Sequence, residues 1–305
     1  MIQVHEEETS ISVICREIFT TILYPIEYAK VLMQIGYEPI VPRPATTLLL
    51  RQPAMILPNI FTYVAYIKNV DGILGCYRGI IPRTCACTVG KIAFDKTSKY
   101  IKKAIEDIDH NNSRYSKEED ESCKTFLLKF IGDVVSRIVA TIISQPLTVI
   151  TIRTVAQFVG RETKYNGLFG SLMEIYKTEG IAGYYTGLMP RLIGNTAAIM
   201  LFSSSSYLIH KYLVHDEQAK PCVDATMGFI ATTVTYPFLV VSNCMIVNNC
   251  GLAAGLPPRM PIYNGWRDCW FHLSVTNQLK RGNSLFWRYY MGQKIIVHGE
   301  PTSLH

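Results

Sequence analysis

Pro25-Ile-Glu27-Tyr-Ala-Lys30, Pro146-Leu-Thr148-Val-Ile-Thr151 and Pro237-Phe-Leu239-Val-Val-Ser242 are three versions of one six-residue segment. Downstream of each lies a second box. These boxes read Asp71-Gly72-Ile-Leu-Gly75-Cys-Tyr77-Arg78-Gly79, Glu179-Gly180-Ile-Ala-Gly183-Tyr-Tyr185-Thr-Gly187 and Arg281-Gly282-Asn-Ser-Leu285-Phe-Trp287-Arg288-Tyr289. The period is about 100 residues, which suits a unit of several helices. Pro82-Arg83 and Pro190-Arg191 follow the first two boxes at equal offsets. The chain therefore divides into repeats over 1–105, 123–215 and 216–305, with 106–122 as a linker. Residues 106–121, EDIDHNNSRYSKEEDE, hold seven acids and two bases, so the linker stays in water.

Composition points to a membrane. Of 305 residues, 49% are hydrophobic and 18% charged, and the mean hydropathy is positive at +0.16. A bilayer-spanning helix needs roughly 20 mostly apolar residues. No charged side chain occurs between Asp224 and Arg259, and LIGNTAAIMLFSSSSYLI fills the interval from Arg191 to His210. Three further spans, near 10–36, 80–102 and 124–157, are interrupted by charges.

Helical periodicity gathers those interruptions into stripes. Arg16, Thr20, Glu27, Lys30 and Gln34 share one arc of the first span. Asp133, Arg137, Thr141, Ser144, Thr148 and Thr151 share an arc of the third, as do Asp224, Thr232, Thr235, Ser242 and Asn249 of the fifth. An ionised side chain facing lipid is costly, so such stripes border a protein interior or a hydrated cavity. A solvated face of a soluble helix would carry more charge and fewer hydroxyls.

The net charge of +6 and the lack of a Lys/Arg run interleaved with aromatics exclude a nucleic-acid partner. Nine scattered cysteines form no C-x-x-C and no zinc spacing, so they are expected as reduced thiols, with no metal and no cofactor. The acidic start MIQVHEEETS is unlike a secretory signal or an Arg-rich presequence, so targeting is expected to be internal. If the helices alternate, loops 36–78, 160–187 and 251–294 share one side and carry most of the extramembrane Lys and Arg. Gly-x-Gly-x-x-Gly, the P-loop, H-E-x-x-H and G-x-S-x-G are absent, which points away from an enzyme.

The paired, triplicated motif resembles the mitochondrial carrier family, whose repeat is a proline-kinked helix, a short amphipathic helix and a second transmembrane helix. Within it the chain is similar to the outer-membrane branch called the mitochondrial carrier homologues. The residues that carry this are Lys30-Val-Leu-Met-Gln-Ile-Gly-Tyr-Glu-Pro39, Val149-Ile-Thr-Ile-Arg153, Gln157-Phe-Val-Gly-Arg-Glu-Thr-Lys-Tyr165, Thr235-Tyr-Pro-Phe238 with Val241-Ser-Asn243, Val247-Asn-Asn-Cys-Gly-Leu-Ala253 and Arg281-Gly-Asn-Ser-Leu-Phe286. The resemblance implies a multi-pass protein of the mitochondrial outer membrane. It also implies insertion of tail-anchored and other helical membrane-protein clients, docking of pro-apoptotic partners, and scrambling of membrane lipids.

The sequence departs from a transporter of that family. Carriers close one side with an acid two residues after each proline and a base five after; only Glu27 and Lys30 remain, while Thr148, Thr151, Leu239 and Ser242 occupy the other places. Glu27 and Lys30 lie three apart and could pair with each other, or Lys30 could face the groove. A second gate is partial: Phe94-Asp95 has Lys99 one place late, and Tyr207-Leu208 with Lys211 has lost its acid. After Arg288, YYMGQKIIVHGEPTSLH is too short and too polar to cross a bilayer.

The expected structure is an all-α membrane protein of three degenerate carrier repeats with helices kinked at Pro25, Pro146 and Pro237, the sixth transmembrane helix missing and a groove open laterally to lipid. Candidate groove and client-contact residues are Arg16, Glu27, Lys30, Asp133, Arg137, Arg191, Asn195, Tyr236 and Asn243. Ser205 shares a face with Arg191 and Asn195, and Arg153 lies off the stripe as a structural or interfacial cation. For each of these residues, and most evenly for Asn195 and Asn243, a helix-to-helix hydrogen bond is the competing role. The expected function is an outer-membrane insertase. The competing readings are a docking receptor or scaffold for apoptotic regulators, a lipid scramblase and a metabolite carrier.

Overall fold

The structure is a computed structural model that describes residues 18–46, 53–112, 118–212, 219–290, 294–297 and 300–303. Eight helices carry most of the described chain: α1 (Tyr24–Gln34), α2 (Ile60–Gly75), α3 (Ile80–Asn112), α4 (Glu118–Ala156), α5 (Leu168–Glu179), α6 (Leu188–Tyr212), α7 (Lys220–Val247) and α8 (Trp266–Val275). Helical backbone also covers residues 18–22, ahead of a turn at Leu23.

Each long helix has a physical reason for its length. α3 has 33 residues and α4 has 39, about 50 Å and 58 Å at the α-helical rise, so both outrun a hydrocarbon core of roughly 30 Å. Among the described residues, three stretches are long and apolar enough to cross a membrane: Phe130–Ala156, Ile181–His210 and Lys220–Val247. The described parts of the two other expected spans are helical, but α3 carries Arg83, Lys91, Asp95, Lys96 and Lys99 and so falls short of that apolarity. Pro146 and Pro237 stand inside α4 and α7, where each removes a backbone donor. Pro25 instead opens α1, in the first turn after the break at Leu23.

α3 runs along α4, and α6 along α7, while α4 also touches α6. The C-terminal halves of the three proline helices α1, α4 and α7 meet one another. Their meeting place is the core. Leu32 and Met33 of α1, Val149, Ile150 and Ile152 of α4, and Val240, Val241 and Ile246 of α7 are all buried there. Away from that end the helices turn apolar side chains outward: Ile131, Val135 and Ile142 on α4, and Phe229, Ile230 and Val234 on α7, are exposed. An outward apolar stripe suits lipid.

The expected helical membrane fold is the one observed, with two small sheets added to it. β1 (Arg43–Thr46), β2 (Pro53–Leu57) and β3 (Arg288–Tyr289) form an antiparallel sheet in the order β1-β2-β3. The second sheet is a hairpin of β4 (Lys294–Val297) and β5 (Glu300–Ser303). β3 begins within the third box, so the described residues after Arg288 are extended strand rather than helix. Arg288 is only 6% exposed; it donates to the Pro58 carbonyl at 3.2 Å and pairs with Glu38. Burial pushes the Glu38 carboxyl above the usual range, and Arg288 pulls it back.

Among the described residues Arg153 is the largest fully buried side chain, at 0% exposure. Its Nη1 and Nη2 reach Glu179 Oε1 and Oε2 at 2.6 and 2.8 Å, a bidentate pair with the end of α5. Its Nε donates to the Ile246 carbonyl of α7 at 3.0 Å, and Nη1 also reaches Tyr165 Oη at 3.4 Å. One guanidinium thus joins α4, α5 and α7. Of the structural and interfacial roles expected for Arg153, these contacts fit the structural one.

Arg153→Ala leaves Glu179 with a half-buried carboxylate and no guanidinium, a loss of about 3–5 kcal/mol for a broken buried pair. The expected outcome is a strongly lowered melting temperature in detergent, recovered in good part by Arg153→Met combined with Glu179→Leu. Equal instability of the double variant would show that the helices do not depend on this pair.

Candidate functional site

The residue before each motif proline anchors its helix to a downstream box. Tyr24 Oη donates to the Arg78 carbonyl at 2.8 Å, Gln145 Nε2 to the Thr186 carbonyl at 2.9 Å, and Tyr236 Oη to the Arg281 carbonyl at 3.0 Å. Gly79 and Gly187, which follow Arg78 and Thr186, have φ of +87° and +69°. A Cβ on Gly187 would lie 2.5 Å from the Ser242 carbonyl oxygen, so α7 could not approach. Of these anchors only Tyr236 was singled out in the sequence, and there as a groove residue; the tyrosine or glutamine ahead of each proline was visible.

Of the candidate residues, Glu27 and Lys30 are best placed by the fold, and they do not pair with each other. Glu27 Oε2 binds Arg83 Nη2 of α3 at 2.5 Å. Arg83 also lies over the Tyr24 ring, 5.9 Å from its centroid. Lys30 lies over the Tyr236 ring at 5.2 Å and forms no ion pair among the described residues. A cation on an aromatic face is stabilised by the ring quadrupole without being neutralised. The acid therefore serves the α1–α3 contact, and the base lies on an aromatic face of α7.

Several other candidates prove to be packing groups. Asn243 is 3% exposed and donates to Gln34 Oε1 at 2.7 Å, so it ties α7 to α1 and offers no open surface. Gln34 Nε2 in turn donates to Tyr236 Oη at 2.9 Å, which commits the Tyr236 hydroxyl and leaves only its ring facing Lys30. Asn195 of α6 donates to Thr141 Oγ1 of α4 at 3.0 Å. Asn195, Tyr236 and Asn243 thus have their polar groups engaged by neighbouring elements, which is the competing helix-to-helix role.

Charge lies elsewhere on the bundle. Arg137 is exposed and stacks over Phe94 at 4.9 Å, joining α4 to the Phe94-Asp95 segment of α3. Asp133, one turn earlier, is exposed. Arg191 of α6 lies near the Cys87 thiol of α3 and forms no ion pair among the described residues. Arg16 falls outside the described residues. The hydroxyls of the stripes bond back along their own helices: Thr141, Thr148 and Thr151 donate to the Arg137, Ser144 and Leu147 carbonyls. That satisfies their donors, and Thr141 Oγ1 also accepts from Asn195. Arg83, which sequence reasoning treated only as part of a Pro-Arg pair, emerges as a third cation beside Lys30 and Arg191. Gln145 Oε1 and Asn243 Oδ1 are buried acceptors without a partner among the described residues.

Residues 123–217 match the family described as mitochondrial carrier protein. Over 274 residues the chain is 39% identical to mitochondrial carrier homolog 2 of Mus musculus, covering 88% of this chain and 90% of that protein. Identity to the Homo sapiens mitochondrial carrier homolog 2 is 38% over the same span. Mitochondrial carrier homolog 1 of Mus musculus is 34% identical over 291 residues, covering 88% of this chain and 74% of that protein.

If Glu27 and Arg83 form one interhelical unit, Glu27→Arg and Arg83→Glu should each lower the melting temperature, and the two together should recover most of it. A double variant no better than its parents would show that the pair does not couple α1 to α3.

Proposed function

Because the chain belongs to the mitochondrial carrier family, in the branch of the mitochondrial carrier homologues, we propose that this mitochondrial membrane protein inserts tail-anchored and other α-helical proteins into the outer membrane. The observation that carries the proposal is the arrangement of Glu27 and Lys30. A carrier's gate needs each acid to reach a base on another odd-numbered helix. Here the remaining acid is taken by Arg83, the remaining base rests on Tyr236, and Thr148, Thr151, Leu239 and Ser242 supply no further charge. Without an opening and closing ring, the bundle has no ion-pair device for alternating access.

Insertion asks less of the protein. A client helix of some 20 apolar residues partitions into lipid downhill, and the barrier is the passage of its polar flank through hydrocarbon. Lys30, Arg83 and Arg191, with the half-buried Thr148 hydroxyl, are groups that would hydrate and pair such a flank between helices. The sixth-helix position, between the first and fifth spans, is where we place the opening to lipid. The same groups would accommodate lipid headgroups, so scrambling belongs to the same reading, and docking of pro-apoptotic proteins would use the outer surface.

Lys30→Glu reverses the one unpaired charge on α1. The expected outcome in reconstituted liposomes is a several-fold change in insertion that depends on the charge of the client's flank, at unchanged protein abundance. Identical client selectivity in wild type and variant would remove Lys30 from the passage.

A further inference from the structure

α3 carries one stripe whose chemistry changes along its length. Ile81, Cys85, Thr88, Ile92, Lys96, Lys99 and Lys103 follow one another at helical steps, so they share a face, which is exposed except at the half-buried Cys85. The first half of the stripe is uncharged. Ile81 is 67% exposed, Ile92 is 49% exposed, and the Thr88 hydroxyl donates to the Thr84 carbonyl at 2.9 Å. The second half is basic: Lys96, Lys99 and Lys103 are exposed, Lys102 is exposed one face over, and Tyr100, 77% exposed, stands beside them. Lys99, one place late for the family's second gate, falls on this stripe instead.

The opposite face of α3 fixes the height at which the change occurs. Phe94 lies under the Arg137 guanidinium of α4 at 4.9 Å, and a Cβ on Gly132 would meet Ile101 Cγ2 at 2.9 Å. Ile101 is thus level with the start of the apolar stretch Phe130–Ala156 of α4. From Ile81 to Lys99 the helix rises about 27 Å, close to the roughly 30 Å of a hydrocarbon core. The lysines and Tyr100 therefore stand where the bundle leaves the hydrocarbon, at the depth of the lipid headgroups. Tyrosine favours that layer, and lysine can lay its stem along lipid with its ammonium among the phosphates.

The four cations lack a counter-charge within the protein. No acid occurs over residues 96–105, and none of the four lysines forms an ion pair among the described residues. Lys96 with Lys99, Lys99 with Lys102 and Lys99 with Lys103 are like charges three or four apart, which disfavours the helix unless anions screen them. A bilayer supplies such anions at this depth, on a face continuous with the uncharged stripe.

We propose that Lys96, Lys99, Lys102 and Lys103, with Tyr100, form a docking face for acidic phospholipid headgroups. The face uses none of the residues assigned to the passage and does not rest on the insertion reading. It gathers acidic lipid along α3 and holds that helix at a fixed depth.

The test uses full-length protein in phosphatidylcholine bilayers with trace spin-labelled phosphatidylserine or phosphatidylcholine, and measures the motionally restricted fraction of each label. The expected result is a several-fold preference for the phosphatidylserine label. It should vanish when Lys96→Gln, Lys99→Gln, Lys102→Gln and Lys103→Gln are combined, and survive the corresponding four arginine substitutions. Both variants should keep the wild-type melting temperature, because the four side chains are exposed. Raising salt from about 0.1 M to about 1 M cuts the screening length from ~10 Å to ~3 Å and should weaken the preference. Equal preference in the wild type and the glutamine variant would overturn the proposal. A preference that emerges only when the acids of residues 106–121 are changed to amides would assign the lysines to that linker and overturn it as well.

Discussion

A buried cation settles the architecture: Arg153, fully enclosed, binds Glu179 through two nitrogens and the Ile246 carbonyl through the third. An uncompensated charge in that position would be prohibitive, so α5 must bring its terminal glutamate to α4, and α7 must present a carbonyl. The opposite side of the same end repeats the logic with different chemistry. Arg281 donates to the Gln34 carbonyl and the Cys244 sulfur, and Gln34 reaches Tyr236 and Asn243. Two arginines thereby weld the C-terminal ends of α1, α4 and α7 together.

That weld gives the polar residues of the spans two separate fates. Those near the closed end, such as Gln34, Asn243 and the Tyr236 hydroxyl, are consumed by packing. Those nearer the middle and far end, including Lys30, Arg137 and Arg191, form no ion pair among the described residues. A bundle fixed at one end, carrying unneutralised cations along its helices, is poorly suited to the rocking of a solute exchanger and well suited to a standing polar surface.

Much of this was legible in the sequence because it rests on periodicity. The proline hexads and the glycine boxes mark helix breaks and tight approaches that follow from backbone geometry alone, and Gly187 shows the reason in its contact with Ser242. The spans around 191–210 and 224–250 were legible from their lack of charge. Partners were harder to foresee. Glu27 could have paired with Lys30 three residues away, and only the approach of α3 gives it Arg83 instead. Asn243 looked like a groove residue because the wheel places it at a stripe edge, yet the convergence of α1 on α7 buries it. The strands at 43–46, 53–57 and 288–289 join segments far apart in the chain, a pairing that no local pattern encodes.

The central claim is that these helices form a passage for membrane-protein segments rather than a gated path for solutes. Purified protein reconstituted into liposomes, presented in parallel with a tail-anchored helix and with labelled nucleotides, keto acids and amino acids, tests it most directly. The account predicts insertion of the helix to a protease-protected, carbonate-resistant form that depends on the protein, with no saturable counter-exchange of any solute. Saturable exchange of a solute without protein-dependent insertion would contradict it.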